Sequence, residues 1–149
     1  MSTDRLARAR ALAAAVQDPE LPALSIGDLG LLRRVEERDG AIAVTLTPSY
    51  TGCPAMAVIG WEVTAALERA GLGPVLVQTE LAPAWSSDAI SAAGRARLRE
   101  AGIAPPGERV CPRCGGTRVE TLAEFGATAC KALWRCQECR EPFESFKTL

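Results

Sequence analysis

The chain has 149 residues with 17 basic and 18 acidic side chains, so its formal net charge is −1. This balance argues against binding of nucleic acid or an anionic membrane through bulk charge. The sequence contains no histidine, which excludes a Ser-His-Asp triad, a Cys-His pair and a His-carboxylate iron site. We therefore expect any bound metal to be held by sulfur or oxygen.

The first predicted element is a helix capped by Ser2 or Thr3. It is expected to end at Asp18-Pro19, because the residue before a proline avoids the helical region. A loop through Leu29 should follow. Apolar residues recur along the helix at helical spacing: Leu6, Ala9, Ala13 and Val16.

Two strands are predicted next, over residues 31–38 and 41–47. The Asp39-Gly40 pair between them is a strong signal for a β-hairpin turn. Within the second strand, apolar side chains alternate with small or polar ones, as in a half-buried strand.

A second helix should begin at Pro54 and end at Gly71, followed by a third strand over residues 75–81. A last helix is expected from Ser86 or Ser87 to Ala101. The predicted order is α-β-β-α-β-α, and the crossover makes the second and third strands parallel. The fold class is therefore α/β (α+β), with helices packed on a three-stranded sheet.

Five of the six cysteines lie beyond residue 106, which suggests two domains, 1–106 and 107–149. The stretch Gly102–Gly107 between them is rich in Gly and Pro and is predicted to be a linker. No secretion signal or apolar segment of membrane-spanning length is recognisable. We expect a cytoplasmic protein with reduced thiols and no membrane association.

Two Cys-x-x-Cys pairs in the C-terminal region predict a metal site, since each pair can direct two thiolates at one ion. Zinc is the default metal, although a four-sulfur site also suits a single iron. Short strands at 118–122, 130–135 and 142–147 complete a zinc ribbon that depends on its metal for stability. Disulfides are disfavoured in a cytosolic chain. The predicted ligands are Cys111, Cys114, Cys136 and Cys139.

The ribbon is not expected to bind nucleic acid, because its basic residues are offset by acids and by the thiolates. Its aromatic residues are interpreted as a small core or as a docking face for protein.

Cys53 precedes Pro54 at the expected start of a helix, where the dipole would favour its thiolate. Thr51 and Gly52 would allow close backbone approach, and the carboxylates of Asp18 and Glu20 could lie nearby. Cys53 could equally be a small buried cap residue.

Cys130 shares strand parity with Ala132, Trp134 and Cys136. The sequence therefore favours a structural role for Cys130, packed beside the metal, over a chemical one.

Seven short motifs cover nearly the whole chain: DPELP at 18–22, SIGDLG at 25–30, TPSYTGCP at 47–54, PAW at 83–85, GIAPP at 102–106, FGATACK at 125–131 and EPF at 141–143. Together they resemble a small α/β family linked to iron–sulfur cluster assembly, and more narrowly the D-subunit family of bacterial phenylacetyl-CoA epoxidase (ring-oxygenase) systems. Ser49 stands where that family would be expected to carry Thr, a mild departure that keeps a hydroxyl group.

The resemblance implies an accessory subunit for aerobic phenylacetate degradation, with no independent catalytic activity expected. It would assist iron or iron–sulfur maturation of a partner, such as the system's flavin and iron–sulfur reductase. In this interpretation Cys53 is a transient ligand of iron or a cluster, and the ribbon is a docking module. The alternative is a thiol-redox protein that uses Cys53 with Cys130, which would form a reversible disulfide.

Overall fold

The computed structural model describes residues 2–50 and 53–149. The helices are α1 (Ser2–Ala14), α2 (Ile26–Leu29), α3 (Ala55–Arg69) and α4 (Ala92–Glu100), with a 3-10 turn at Ser87–Ala89. The strands are β1 (Leu32–Arg38), β2 (Ala41–Leu46), β3 (Val75–Thr79), β4 (Ile103–Ala104), β5 (Val119–Ala123), β6 (Lys131–Cys136) and β7 (Pro142–Phe146).

The first sheet has the order β1-β2-β3. Strands β1 and β2 pair antiparallel across the predicted turn, where Asp39 and Gly40 have φ angles of 52° and 81°. Strand β3 lies parallel to β2 after the α3 crossover, which confirms the predicted α/β layer. Its core contains side chains from β2 and α3 that are fully buried: Ile42, Val44, Leu46, Ile59, Val63 and Leu67.

Three local predictions are wrong. The loop after α1 contains the short helix α2, whose Ser25 and Asp28 form a reciprocal cap. The last helix is not continuous, because Ser91 caps a new helix after the 3-10 turn. Helix α1 ends at Ala14, before the predicted end at Asp18-Pro19.

The second sheet has the order β4-β7-β6-β5. Its three antiparallel strands match the predicted ribbon, but β4 comes from the stretch predicted to be a linker. Ile103 pairs with Glu144 and Ala104 with Ser145, both in parallel. Ala104 and Pro105 are buried, so this stretch is part of the folded sheet and not a flexible connection.

The two sheets are joined by a common core. Cys130 and Phe146 from the ribbon are buried with the apolar residues of the α/β layer. The rings of Phe146 and Trp85 lie with their centroids 6.0 Å apart, and the indole N–H of Trp85 donates to the Leu29 carbonyl at 2.7 Å. In the described part of the chain, no helix is long and apolar enough to cross a membrane.

Candidate metal centre and cysteine pocket

The four ribbon cysteines converge at the ends of the β5–β7 strands. Their Sγ atoms all lie within 4.8 Å of one another. Cys111 Sγ is 3.8 Å from Cys139 Sγ, and Cys114 Sγ is 3.5 Å from Cys136 Sγ. Tetrahedral zinc with bonds of about 2.3 Å would place its sulfurs about 3.8 Å apart. The all-sulfur donor set and its spacing therefore fit a single metal ion.

The peptide backbone around these sulfurs is arranged to support thiolates. The N–H of Gly116 donates to Cys114 Sγ, and the N–H of Cys139 donates to Cys136 Sγ, both at 3.4 Å. Gly115 has a φ of 79°, which a residue with a side chain rarely adopts. A small core containing Phe143 closes one side of the centre.

A second group of chemically capable residues surrounds a cavity of about 20 Å³ between the two sheets, which we call the cysteine pocket. Both remaining cysteines, Cys53 and Cys130, line it, although they come from different sheets of the protein. The other lining residues are acidic, aromatic, aliphatic or small: Asp18, Glu20, Leu21, Leu29, Leu31, Ser49, Tyr50, Trp85 and Phe146.

Cys53 is half-buried, and its Sγ lies 3.9 Å from Glu20 Oε1. The cap of α3 is Pro54, so Cys53 lies one residue outside the helix. Burial raises the pKa of Cys53, with a hydrogen bond from the Ala55 backbone only partly opposing it. The prediction that the helix start lowers this pKa is therefore wrong, because desolvation outweighs the helix terminus.

Asp18 and Glu20 approach the cavity as the sequence suggested, but they differ in what they can do. Asp18 Oδ1 accepts the backbone N–H groups of Glu20 at 2.8 Å and Leu21 at 3.0 Å. Asp18 is 7% exposed and holds the turn that carries Glu20. The Glu20 carboxylate is the one that faces the Cys53 thiol.

Cys130 immediately precedes β6 and lies in the core shared with the α/β layer. The expectation that it packs beside the ribbon metal is wrong. Strand β6 begins at Lys131, so the alternation of side chains along the strand does not include Cys130. Its Sγ is 3.1 Å from the Thr128 hydroxyl. Burial raises the pKa of Cys130.

Tyr50 also lines the cavity, although the sequence reasoning did not single it out as a site residue. Burial, together with the neighbouring Cys53, raises its pKa to about 12. Its hydroxyl therefore stays protonated and can donate a hydrogen bond. Its position in the loop that ends at Cys53 is the sequence feature that could have identified Tyr50 as a site residue. Thr51 and Gly52, proposed as supporting residues, lie outside the described residues.

Within residues 2–50 and 53–149, the ribbon cysteines are the one group of three or more Cys, Asp or Glu residues placed to hold a metal ion. The cysteine pocket brings two thiols and two carboxylates together, but it is not a preformed metal cage. Metal binding there would require the side chains to close around the ion.

The sequence matches two family models that follow the two sheets. Residues 8–81 match an iron–sulfur cluster assembly protein model, and residues 101–147 match the PaaD zinc beta ribbon domain. The candidate D-subunit of the 1,2-phenylacetyl-CoA epoxidase of Escherichia coli is 42% identical, over 93% of this chain and 90% of its own length. The chain belongs to the phenylacetyl-CoA epoxidase D-subunit family.

Two further relatives of this D-subunit family member match only part of the chain. An Fe-S protein maturation auxiliary factor of Porphyromonas gingivalis is 35% identical, over 51% of this chain and 73% of the relative. The crystal structure of a domain of unknown function (DUF59) from Bacillus anthracis superposes with a TM-score of 0.60 at 26% identity, covering 65% of this chain and 93% of that one. The chain thus matches an iron–sulfur assembly model in its first sheet and a zinc ribbon model in its second.

Proposed function

We propose that this chain is an accessory subunit of the phenylacetyl-CoA epoxidase system in aerobic phenylacetate degradation, and that it helps a partner subunit acquire iron or an iron–sulfur cluster. The observation that carries this proposal is the pocket where Cys53 and Cys130 meet Glu20. The similarity to an Fe-S protein maturation auxiliary factor supports the same role. The partners would be the other subunits of the system, including its flavin and iron–sulfur reductase.

The pocket suits ferrous iron as a transient cargo. Burial raises the pKa of both thiols, so both are protonated at neutral pH. Ferrous iron would replace one proton on each sulfur as each iron–sulfur bond forms, and protons not taken up by Glu20 would be released to solvent. Glu20 Oε1, 3.9 Å from Cys53 Sγ, can accept the Cys53 proton or ligate the ion through oxygen. Mixed sulfur and oxygen ligands leave the ion able to move on to a partner.

In the ribbon, we propose zinc as the resident metal, held by the four cysteines for structural reasons. Its ligands form a closed set with no open position, as in structural zinc sites. A single iron in this site would show thiolate-to-iron absorption in the visible range, whereas zinc is colourless. The ribbon would act as a docking module and not as a reader of nucleic acid.

The alternative function, thiol redox chemistry by Cys53 and Cys130, is supported by their shared cavity but opposed by their pKa values. A redox-active thiol needs a thiolate near neutral pH, and burial raises the pKa of both. We therefore favour iron binding over thiol redox chemistry. We place this role in the cytoplasm and propose no independent catalytic turnover.

The experiment is to co-express the whole oxygenase system with wild-type or Cys53→Ser subunit and to measure iron and sulfide in each purified partner. A partner that loses iron or sulfide with the variant supports the proposal. Thr79→Ser, on the exposed part of β3, is the matched control and should leave loading unchanged. Fully loaded partners alongside Cys53→Ser would contradict the proposal, and a reversible Cys53–Cys130 disulfide with turnover would favour the redox alternative.

A further inference from the structure

An ion pair between a buried lysine and a partly exposed glutamate lies next to the cysteine pocket, and the chemistry proposed above does not use it. Lys131 is 4% exposed, and its Nζ lies 3.2 Å from Glu144 Oε1. A charged side chain is seldom this buried unless it is paired. Lys131 is also the residue directly after Cys130, so the ion pair sits at the base of the segment that carries this thiol.

Glu144 uses its second oxygen to hold the preceding loop. Its Oε2 accepts the backbone N–H of Ala127 at 2.9 Å. The N–H of Gly126 donates to the Lys131 carbonyl at 2.6 Å. A Cβ atom at Gly126 would lie 2.6 Å from Glu144 Oε2, so a side chain at this position would displace the Glu144 carboxylate. The loop is therefore folded back onto the ion pair.

The same loop fixes the Cys130 thiol. The Thr128 carbonyl accepts the Lys131 N–H at 3.2 Å, and the Thr128 hydroxyl contacts Cys130 Sγ at 3.1 Å. On the other side, the Cys130 carbonyl accepts the Lys147 N–H from beyond β7 at 2.9 Å. Cys130 is thus held between β7 and a loop whose closure depends on Glu144.

We infer that Lys131 and Glu144 are positioning residues that hold the 126–130 loop closed and so present the Cys130 thiol to the cavity that contains Cys53. The role given to this loop rests on the proposed function, because a closed loop would keep both thiols available to one iron ion. The contacts that carry it are independent of any bound metal.

The test compares Glu144→Ala, Glu144→Gln and Gly126→Ala with the wild-type chain, all loaded with zinc. The first readout is the alkylation rate of Cys130 in iron-free protein, followed by peptide mapping. Glu144→Ala and Gly126→Ala should each raise that rate about tenfold by opening the loop. Glu144→Gln keeps an oxygen for the Ala127 N–H but removes the charge partner of Lys131, so it should retain only part of the protection.

The second readout is thiolate-to-iron absorption after anaerobic addition of ferrous ion. Glu144→Ala should lower it to the level of Cys130→Ser, whereas Glu144→Gln should leave an intermediate signal. Glu120→Ala is the control, since Glu120 on β5 pairs with Arg135 at 3.9 Å and accepts a 3.4 Å hydrogen bond from Gln137, both away from the loop. A merely structural pair would not produce this pattern of loss and partial rescue.

Unchanged Cys130 alkylation in Glu144→Ala and Gly126→Ala would overturn the inference. It would also be overturned if the alkylation rate of Cys53 rose by the same factor and zinc were lost, because that pattern means general unfolding. If the wild-type chain binds no iron, the proposed function fails, while the alkylation arm still decides whether the loop is held by Glu144.

Discussion

Cys53 Sγ lies 3.9 Å from Glu20 Oε1 inside a cavity that Cys130 also lines. The Glu20 carboxylate is contributed by the turn after α1, which Asp18 holds in shape through two backbone hydrogen bonds. A thiol facing a carboxylate in a buried position is kept protonated, since both burial and the nearby negative charge oppose its ionisation. It is suited to receive a cation that replaces the proton.

Replacing Glu20 with Gln should remove a negative charge that raises the pKa of Cys53. We expect Cys53 alkylation at pH 8 to become faster by a factor of about two to five. Ferrous iron should bind about tenfold more weakly, because one oxygen ligand becomes neutral. Alkylation kinetics and an anaerobic iron titration measure the two effects. Glu62→Gln, an exposed change on α3, is the matched control, and equal effects in both variants would contradict this role of Glu20.

The alkylation rate of Cys53 should keep rising with pH beyond the ordinary thiol value of 9.0, because burial raises its pKa. Cys53 should react faster than Cys130, since Cys53 is half-buried whereas Cys130 is 6% exposed. Peptide mapping after short pulses of iodoacetamide at several pH values gives both rates. A rate that levels off below pH 8 would contradict a raised pKa of Cys53. Faster labelling of Cys130 would contradict its deeper burial.

Cys136→Ser should reduce the metal content of the ribbon and lower the stability of the whole chain. Its loss removes one ligand of the four-sulfur centre, and the ribbon contributes Phe146 to the common core. We expect a single thermal transition at lower temperature, because the two sheets share that core. Calorimetry with metal analysis makes the measurement. An unchanged transition for the α/β layer would instead support two independent modules.

Asp28→Asn should destabilise the fold by about 1 kcal/mol at pH 7, since Asp28 completes the cap of α2. Burial acts to raise the pKa of Asp28, but its hydrogen bonds with Ser25 and its ion pair with Arg97 together outweigh burial and hold that pKa below 3.8. This stabilisation is present above the unfolded-state pKa and is lost as pH falls through the lower folded-state value.

Urea denaturation of both proteins checks this prediction. The difference in unfolding free energy should be constant near neutral pH and should shrink below pH 4. A difference that grows on acidification would mean that the sign of the Asp28 contribution is wrong.

Local sequence signals predicted the elements that local chemistry determines. The Asp39-Gly40 turn, the parallel third strand and the ribbon knuckles each depend on a few neighbouring residues or on chain topology. The strand β4 was not predictable in this way. It has two residues beside Pro105 and forms only because β7 offers a free edge.

The cysteine pocket shows the same limit. The pKa of Cys53 depends on burial by residues from distant segments, including Trp85 and Phe146, and a helix-start argument cannot include them. The orientation of the Cys130 side chain depends on the loop before β6, where side chains no longer alternate between the two faces of a strand. Sequence reasoning paired the two thiols only in its redox alternative and could not show that they line one cavity.

The central claim is that Cys53 and Cys130 jointly bind ferrous iron, and an anaerobic titration of the zinc-loaded chain tests it most directly. We predict about one equivalent of iron bound with thiolate-to-iron absorption in the wild-type chain, and loss of that binding in both Cys53→Ser and Cys130→Ser. Zinc content should remain unchanged in both variants. Iron binding that persists in either variant, or no iron binding by the wild-type chain, would contradict the account.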